Sequence, residues 1–243
     1  MSEHICLYEF DLNEIKQYSN ILIVGEIGTG KTTLIAKIMK AKSNSSINEA
    51  IIFEHIKELP EELFGSNLSI ISEIVDVNNV LDRIAMMESI DKLRGIKEKT
   101  GAKNGHWLII DDVLDYKKFR NSTIEEIICH GRHFNIWPIF CFGYNKIGNY
   151  GVKYPYSMIQ RYANIESFPP QIPPNIRCNL DFIFLSGEED KEIINHHYRQ
   201  YGHMFNKYED FENIFIFLTS KHRWLIINNT VRSKNPYDFI FYL

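Results

Sequence analysis

"ILIVGEIGTGKTTLI", Ile21 to Ile35, is the stretch on which the fold turns. Its first four residues are apolar without a break, and a short apolar run ending in glycine is the pattern of a strand buried on both faces. Gly25 to Thr32, "GEIGTGKT", satisfies G-x-x-x-x-G-K-[ST], and Leu34, Ile35 and Ile38 follow at helical spacing. Strand, glycine-rich loop and helix in that order form a phosphate cradle. Gly25, Gly28 and Gly30 permit backbone angles that a side chain forbids, so the loop N–H groups converge on phosphate oxygens at the positive end of the helix. Lys31 then reaches the β- and γ-phosphates, and the Thr32 hydroxyl ligates Mg²⁺. The expected nucleotide-binding set is Gly25, Glu26, Ile27, Gly28, Thr29, Gly30, Lys31, Thr32 and Thr33.

A second stretch, "WLIIDDVL" from Trp107 to Leu114, drives an apolar strand into two adjacent acids. A P-loop requires a metal-side acid at the end of a neighbouring buried strand, and Asp111 stands there, touching Mg²⁺ directly or through one of the waters the ion keeps. Asp112 reaches further and is placed to accept a proton from a water attacking the γ-phosphate; a capping role or an arginine partner is its structural alternative. Two strand-like runs and a long helix separate Thr32 from Asp111. That interval predicts the class of P-loop ATPases with an additional strand and an added catalytic acid. "YNKIG" (Tyr144 to Gly148) has the Asn-Lys but not the Asp of a guanine-reading NKxD, which favours ATP over GTP.

The remaining pattern predicts one three-layer α/β domain over residues 1–243, with a mostly parallel central sheet. Strands are expected at 50–55, 68–72, 106–110, 136–143 and 180–186, and helices at 78–99, 122–131 and 188–202. "HRWLIINN" and "DFIFYL" read as a C-terminal antiparallel hairpin. Pro138 lacks a ladder donor and is expected at a strand start or a bulge. Residues 144–174, rich in Tyr, Gly and Pro, read as an irregular excursion.

Composition sets the bounds. Of 243 residues, 44% are hydrophobic and 24% charged, enough apolar material for a large core. The net charge of −4 excludes a general polycation, so nucleic-acid contacts must come from local basic loops or an oligomeric face. "DKLRGIKEKTGAKNG" (Asp91 to Gly105) and "YKKFR" (Tyr116 to Arg120) are the two such clusters, with a solvated helix face as the plain alternative for each. Four widely spaced cysteines without a CxxC pair read as reduced thiols. The charged first twenty residues lack the apolar core of a signal peptide, and no apolar run approaches the ~20 residues of a membrane span. A soluble, non-secreted protein is expected. "HHYRQYGH" (His196 to His203) lacks metal-ligand spacing.

With these residues in place, the chain resembles the genome-packaging ATPases of poxviruses and other large double-stranded DNA viruses, within the FtsK–HerA superfamily. "NILIVGEIGTGKTTLI" looks like their Walker A element and "WLIIDDVL" like their Walker B. "CHGRHFNIWPIFCFG" is similar to the segment leading into their sensor strand, "IPPNIRCNLDFIFL" to a later arginine-bearing strand, and "WLIINNTVRSKNPYDFIFY" to their terminal hairpin. The likeness spans about Ile21 to Tyr242. It implies a RecA/FtsK-like fold and an ATP- and Mg²⁺-dependent motor that packages double-stranded DNA. It further implies a homo-oligomeric ring at the portal vertex of a capsid, in the host cytoplasm or carried in the virion. Lys31, Asp112 and an arginine supplied by a neighbouring subunit would be catalytic, and Thr32 and Asp111 would hold the metal. Arg177 in "NIRCN" is the first candidate for that arginine and Arg132 in "GRH" the second; either could instead clamp a carboxylate. Where the family commonly has a sensor glutamine, this chain has Gly143, followed by Tyr144 and Asn145. A cellular translocase of the same superfamily and a nucleotide-binding switch with little turnover are the alternative functions.

Overall fold

The computed structural model describes residues 7–42, 47–54, 69–75, 84–93, 105–113, 122–144, 171–233 and 235–243. Nine strands form one sheet: β1 (Tyr8–Glu9), β2 (Ile21–Glu26), β3 (Ile47–Glu54), β4 (Ser69–Ile74), β5 (Gly105–Asp111), β6 (Ile136–Tyr144), β7 (Phe182–Leu185), β8 (Leu225–Asn228) and β9 (Ile240–Tyr242). Their spatial order is β1-β9-β8-β7-β2-β6-β5-β3-β4. Every pairing is parallel except β7 with β8 and β8 with β9. The mostly parallel sheet and its C-terminal hairpin are thus as the sequence predicts. β1, two residues long, adds a parallel edge against β9 that no sequence pattern announces.

Side chains alternate across the sheet, as strand geometry requires. Leu22, Val24, Leu108, Ile110 and Phe140 face one buried cluster, and Ile21, Ile23, Trp107, Ile109 and Ile139 face the other. Helix α1 (Lys31–Ala41) covers the second face through Leu34, Ile35 and Ile38. The first face is covered by α2 (residues 84–93), α3 (Ser122–His130), α4 (Lys191–Tyr201) and α5 (Tyr208–Thr219). These are the three layers of the predicted class. Only 84–93 of the predicted 78–99 helix lies within the described residues. Residues 145–170 of the excursion expected at 144–174 and the basic cluster Tyr116 to Arg120 lie outside them, as do Arg94, Lys97, Lys99 and Lys103 of the other cluster.

Two local features differ from or sharpen the sequence pattern. Pro138 is the third residue of β6 and sits opposite Leu108 in unbroken register, with no bulge. Trp137 beside it stacks on its register partner Trp107 with ring centroids 4.1 Å apart, which fixes the first turn of the strand pair despite the missing donor. Helix α5 is hidden by its own composition: "IFIFL" has the aromatic and β-branched content of a strand. Glu209 and Asp210 occupy its first turn, and Phe211, Ile214, Phe215 and Leu218 recur at helical spacing to form its buried face. α4 likewise starts later than expected, at Lys191, because Asp190 caps it by accepting from the Glu192 N–H.

Candidate active site

β2 is the central strand, and its C-terminal end carries the phosphate cradle. Gly28 and Gly30 adopt φ of 84° and 87°, the left-handed region open to glycine. The Thr29 hydroxyl donates to the Glu26 carbonyl at 2.8 Å, and the Ile27 N–H donates to the Tyr144 carbonyl at 3.1 Å, tying the loop to β6. Gly25 admits no side chain: a Cβ there would lie 2.5 Å from the Ser186 hydroxyl oxygen. Lys31, buried at the start of α1, donates to the carbonyls of Gly25 and Glu26 at 3.3 Å each. Its ammonium nitrogen also lies 3.7 Å from Asp112 Oδ2.

The two acids come to this loop across β6, which separates their strand from β2. That inserted strand is the additional strand of the predicted class. Asp111 ends β5, opposite Cys141 of β6 and Glu54 of β3, and is buried. Asp112 follows with φ of 54°, a conformation that aspartate tolerates better than most residues. The two acids thus differ in backbone conformation, Asp111 closing the strand and Asp112 turning out of it. Asp112 N–H donates to the Cys141 carbonyl at 3.0 Å, and its Oδ1 accepts from the Gly143 N–H in a short hydrogen bond. A Cβ at position 143 would sit 2.7 Å from Asp112 Oδ2. A glutamine at Gly143 is therefore incompatible with this placement of Asp112.

Asp111, Asp112 and Cys141 each offer a ligand atom within 4.8 Å of the others. Burial, reinforced by the two carboxylates, holds the Cys141 thiol well above its ordinary range and so protonated. The hard oxygen donors, the acids and the half-buried Thr32, match Mg²⁺; a protonated thiol does not.

Tyr144, the last residue of β6, is buried and donates its hydroxyl to Glu188 Oε2 at 2.9 Å. Burial first and the Glu188 charge second push its phenol well above the ordinary value. Glu188 Oε1 accepts from the N–H groups of Glu189 and Asp190, immediately before α4. Two cavities flank the cradle. One of about 200 Å³ lies between Thr29, Gly30 and Thr33 on one side and His222, Trp224 and Leu243 on the other. The other, about 460 Å³, opens between Glu26, Thr29 and Glu188 and the same C-terminal segment. Lys221 and His222 both adopt left-handed φ, 62° and 60°, at this rim. No motif in the sequence marks these rim residues; chain reversal alone brings them here.

The arginines lie elsewhere. Arg177 Nη1 donates to the Gln200 carbonyl at 2.5 Å and the Arg199 carbonyl at 3.5 Å, closing the C-terminal end of α4. Arg132 pairs with Asp181 at 3.3 Å. Both stand at the end of the sheet opposite the cradle, away from the chain's own Lys31. His197 is fully buried between Tyr201 and Phe215, and His203 is exposed. Asn145 lies outside the described residues.

No protein-family model matches the chain. In sequence it is 26% identical over 242 residues to protein L437 of Acanthamoeba polyphaga mimivirus, covering 97% of this chain and 76% of that protein. It is 23% identical over 226 residues to protein 075L of Invertebrate iridescent virus 6, covering 92% and 76% respectively. In structure it is similar to the genome packaging NTPase B204 of Sulfolobus turreted icosahedral virus 2 in complex with ATP-γS. The TM-score is 0.62 at 14% identity, over 94% of this chain and 98% of that one. B204 of Sulfolobus turreted icosahedral virus, a DNA-packaging ATPase, gives 0.59 at 14% identity over 93% and 98%. The resemblance carried by the sequence motifs thus recurs in the backbone. The chain has the P-loop NTPase fold, in the form that these viral genome-packaging NTPases share.

Proposed function

We propose that this chain is an ATP-hydrolysing motor that translocates double-stranded viral DNA into a capsid. The observation that carries the reading is Asp112, turned across β6 to within 3.7 Å of the P-loop Lys31. The loop N–H groups and the N-terminus of α1 bind the triphosphate, and Lys31 offsets charge on its β- and γ-phosphates. Thr32 and Asp111 would hold Mg²⁺, whose positive charge neutralises the phosphate oxygens. Asp112 orients a water and accepts its proton as the water oxygen bonds to the γ-phosphorus. The bond from that phosphorus to the β–γ bridging oxygen breaks, leaving ADP and inorganic phosphate. The 200 Å³ cavity beside Thr33 is sized for the nucleobase alone, with His222 and Trp224 on its wall. An arginine from a neighbouring subunit, Arg177 or Arg132, completes the site in a homo-oligomeric ring. Such a ring would work at the portal vertex in host cytoplasm, with basic loops tracking the DNA backbone.

One observation favours a second reading, a nucleotide-binding switch of low turnover: Gly143 stands where a water-positioning side chain is expected. Steady-state ATP hydrolysis with and without duplex DNA separates the two. The motor reading expects stimulation by duplex DNA and a 10²–10⁴-fold loss in Asp112→Asn with nucleotide binding retained. A rate indifferent both to DNA and to Asp112→Asn would overturn it.

A further inference from the structure

A separate cleft of about 640 Å³ opens at the far end of the sheet from the phosphate cradle. Asn228, on its wall, pairs with Phe182, the first residue of β7, which in turn pairs with Ile21, the first residue of β2. The P-loop follows the last residue of β2, so the six-residue strand separates the two sites by roughly 20 Å. The cleft lies in the size range of ligand sites rather than of packing defects. Its floor is apolar, formed by Ile183, Tyr201 and Phe239, all buried.

The wall is basic. Arg177, Arg199 and His203 line the cleft, and among the described residues no aspartate or glutamate does. The acids nearby already have partners: Asp181 accepts from Arg132 and the Asn20 N–H, and Asp238 accepts from Ser233 and Asn235. Arg177 spends Nη1 on the α4 carbonyls, while its buried Nε has no hydrogen-bond partner among the described residues. A buried guanidinium N–H without an acceptor is costly, so the described residues leave this guanidinium incompletely satisfied. The exposed guanidinium of Arg199 has no carboxylate partner among the described residues, so both arginines are available to one ligand. Two forked donors and an imidazole over an apolar floor suit a phosphate group, which accepts several N–H bonds at once.

We propose that this cleft is a second, phosphate-binding site, distinct from the chain's own P-loop. Its ligand carries a phosphate oxyanion, either free or as part of a nucleic-acid backbone.

The test uses the full chain with Lys31→Ala, which weakens phosphate binding at the P-loop, and inorganic pyrophosphate as probe in titration calorimetry. The proposal expects saturable binding to Lys31→Ala. Adding the exposed change Arg199→Gln should raise Kd at least tenfold, with an unchanged melting temperature. An unlabelled 20-base-pair duplex is then added as competitor. Displacement of pyrophosphate assigns the site to nucleic-acid phosphates, and persistence of pyrophosphate assigns it to a free phosphate compound. No binding to Lys31→Ala, or equal binding after Arg199→Gln and His203→Gln, overturns the proposal. So does equal displacement by glutamate at the pyrophosphate concentration, which would mark a carboxylate site instead.

Discussion

The Asp112 carboxylate accepts the backbone N–H of Gly143, a residue 31 positions later in the chain, and any Cβ at 143 would intrude on it at 2.7 Å. The absence of a side chain at 143 is therefore what lets the second acid reach across β6. Gly143→Ala should displace Asp112 from Lys31 while leaving the strand register intact. Hydrolysis should fall by about 100-fold or more, with a stability loss of about 1–3 kcal/mol from the added methyl group. Turnover measured beside a denaturant melt separates the two effects; a variant with near-normal turnover would show that the Gly143 contact does not position Asp112.

The cradle and both acids were legible because each is local: a strand, a loop and a helix within fifteen residues, or two acids ending one strand. The partners of those acids were not, since β6 lies between β5 and β2 only through topology. Gly143 reads in sequence as a missing sensor and in three dimensions as the seat of Asp112. α5 was illegible for another reason. Its residues prefer strands, and burial against the sheet outweighs that preference. Arg177 was legible as an unusual residue but not as a closure for α4, because the carbonyls it binds lie more than twenty positions away.

Arg177 holds the last carbonyls of α4, so its loss should register even in an isolated subunit. Arg177→Ala should lower stability by about 1 kcal/mol, the cost of leaving the part-buried Gln200 carbonyl without this charged donor. If it also serves a neighbour's site, mixing it with a Lys31→Ala variant should restore part of the hydrolysis, because an intact arginine then faces an intact P-loop. A melt shift without recovery on mixing would confine Arg177 to the structural role.

Consecutive left-handed residues are unusual outside glycine, and Lys221 and His222 adopt them at the rim of the cradle. Each such non-glycine residue costs about 1–2 kcal/mol. His222→Gly relieves that strain and removes one wall of the cavity beside Thr33. Stability should rise by up to about 1 kcal/mol after the added backbone entropy of glycine. Affinity for ATP should fall several-fold, while affinity for inorganic triphosphate stays constant. Equal losses for both ligands would place His222 against the phosphates, and no loss would remove it from the nucleotide site.

His197 is fully buried on α4, stacked against Tyr201 and Phe215, and neither ring nitrogen has a hydrogen-bond partner among the described residues. Burial, with a smaller contribution from neighbouring His196, pushes its pKa down to about 3, against an ordinary 6.5. Well above pH 6.5 the imidazole is neutral in both folded and unfolded chains and adds no pH dependence. As pH falls below 6.5 the unfolded chain takes up the proton first, so stability is lost progressively down to about pH 3. At pH 5 the loss from this group amounts to about 2 kcal/mol. His197→Leu removes the titration and keeps an apolar side chain in the core. Urea melts at pH 7 and pH 5 should therefore converge by about that amount in the variant relative to the parent. An unchanged difference between the two pH values would mean that His197 is already hydrated or hydrogen-bonded in the folded chain, and that acid sensitivity arises from other groups.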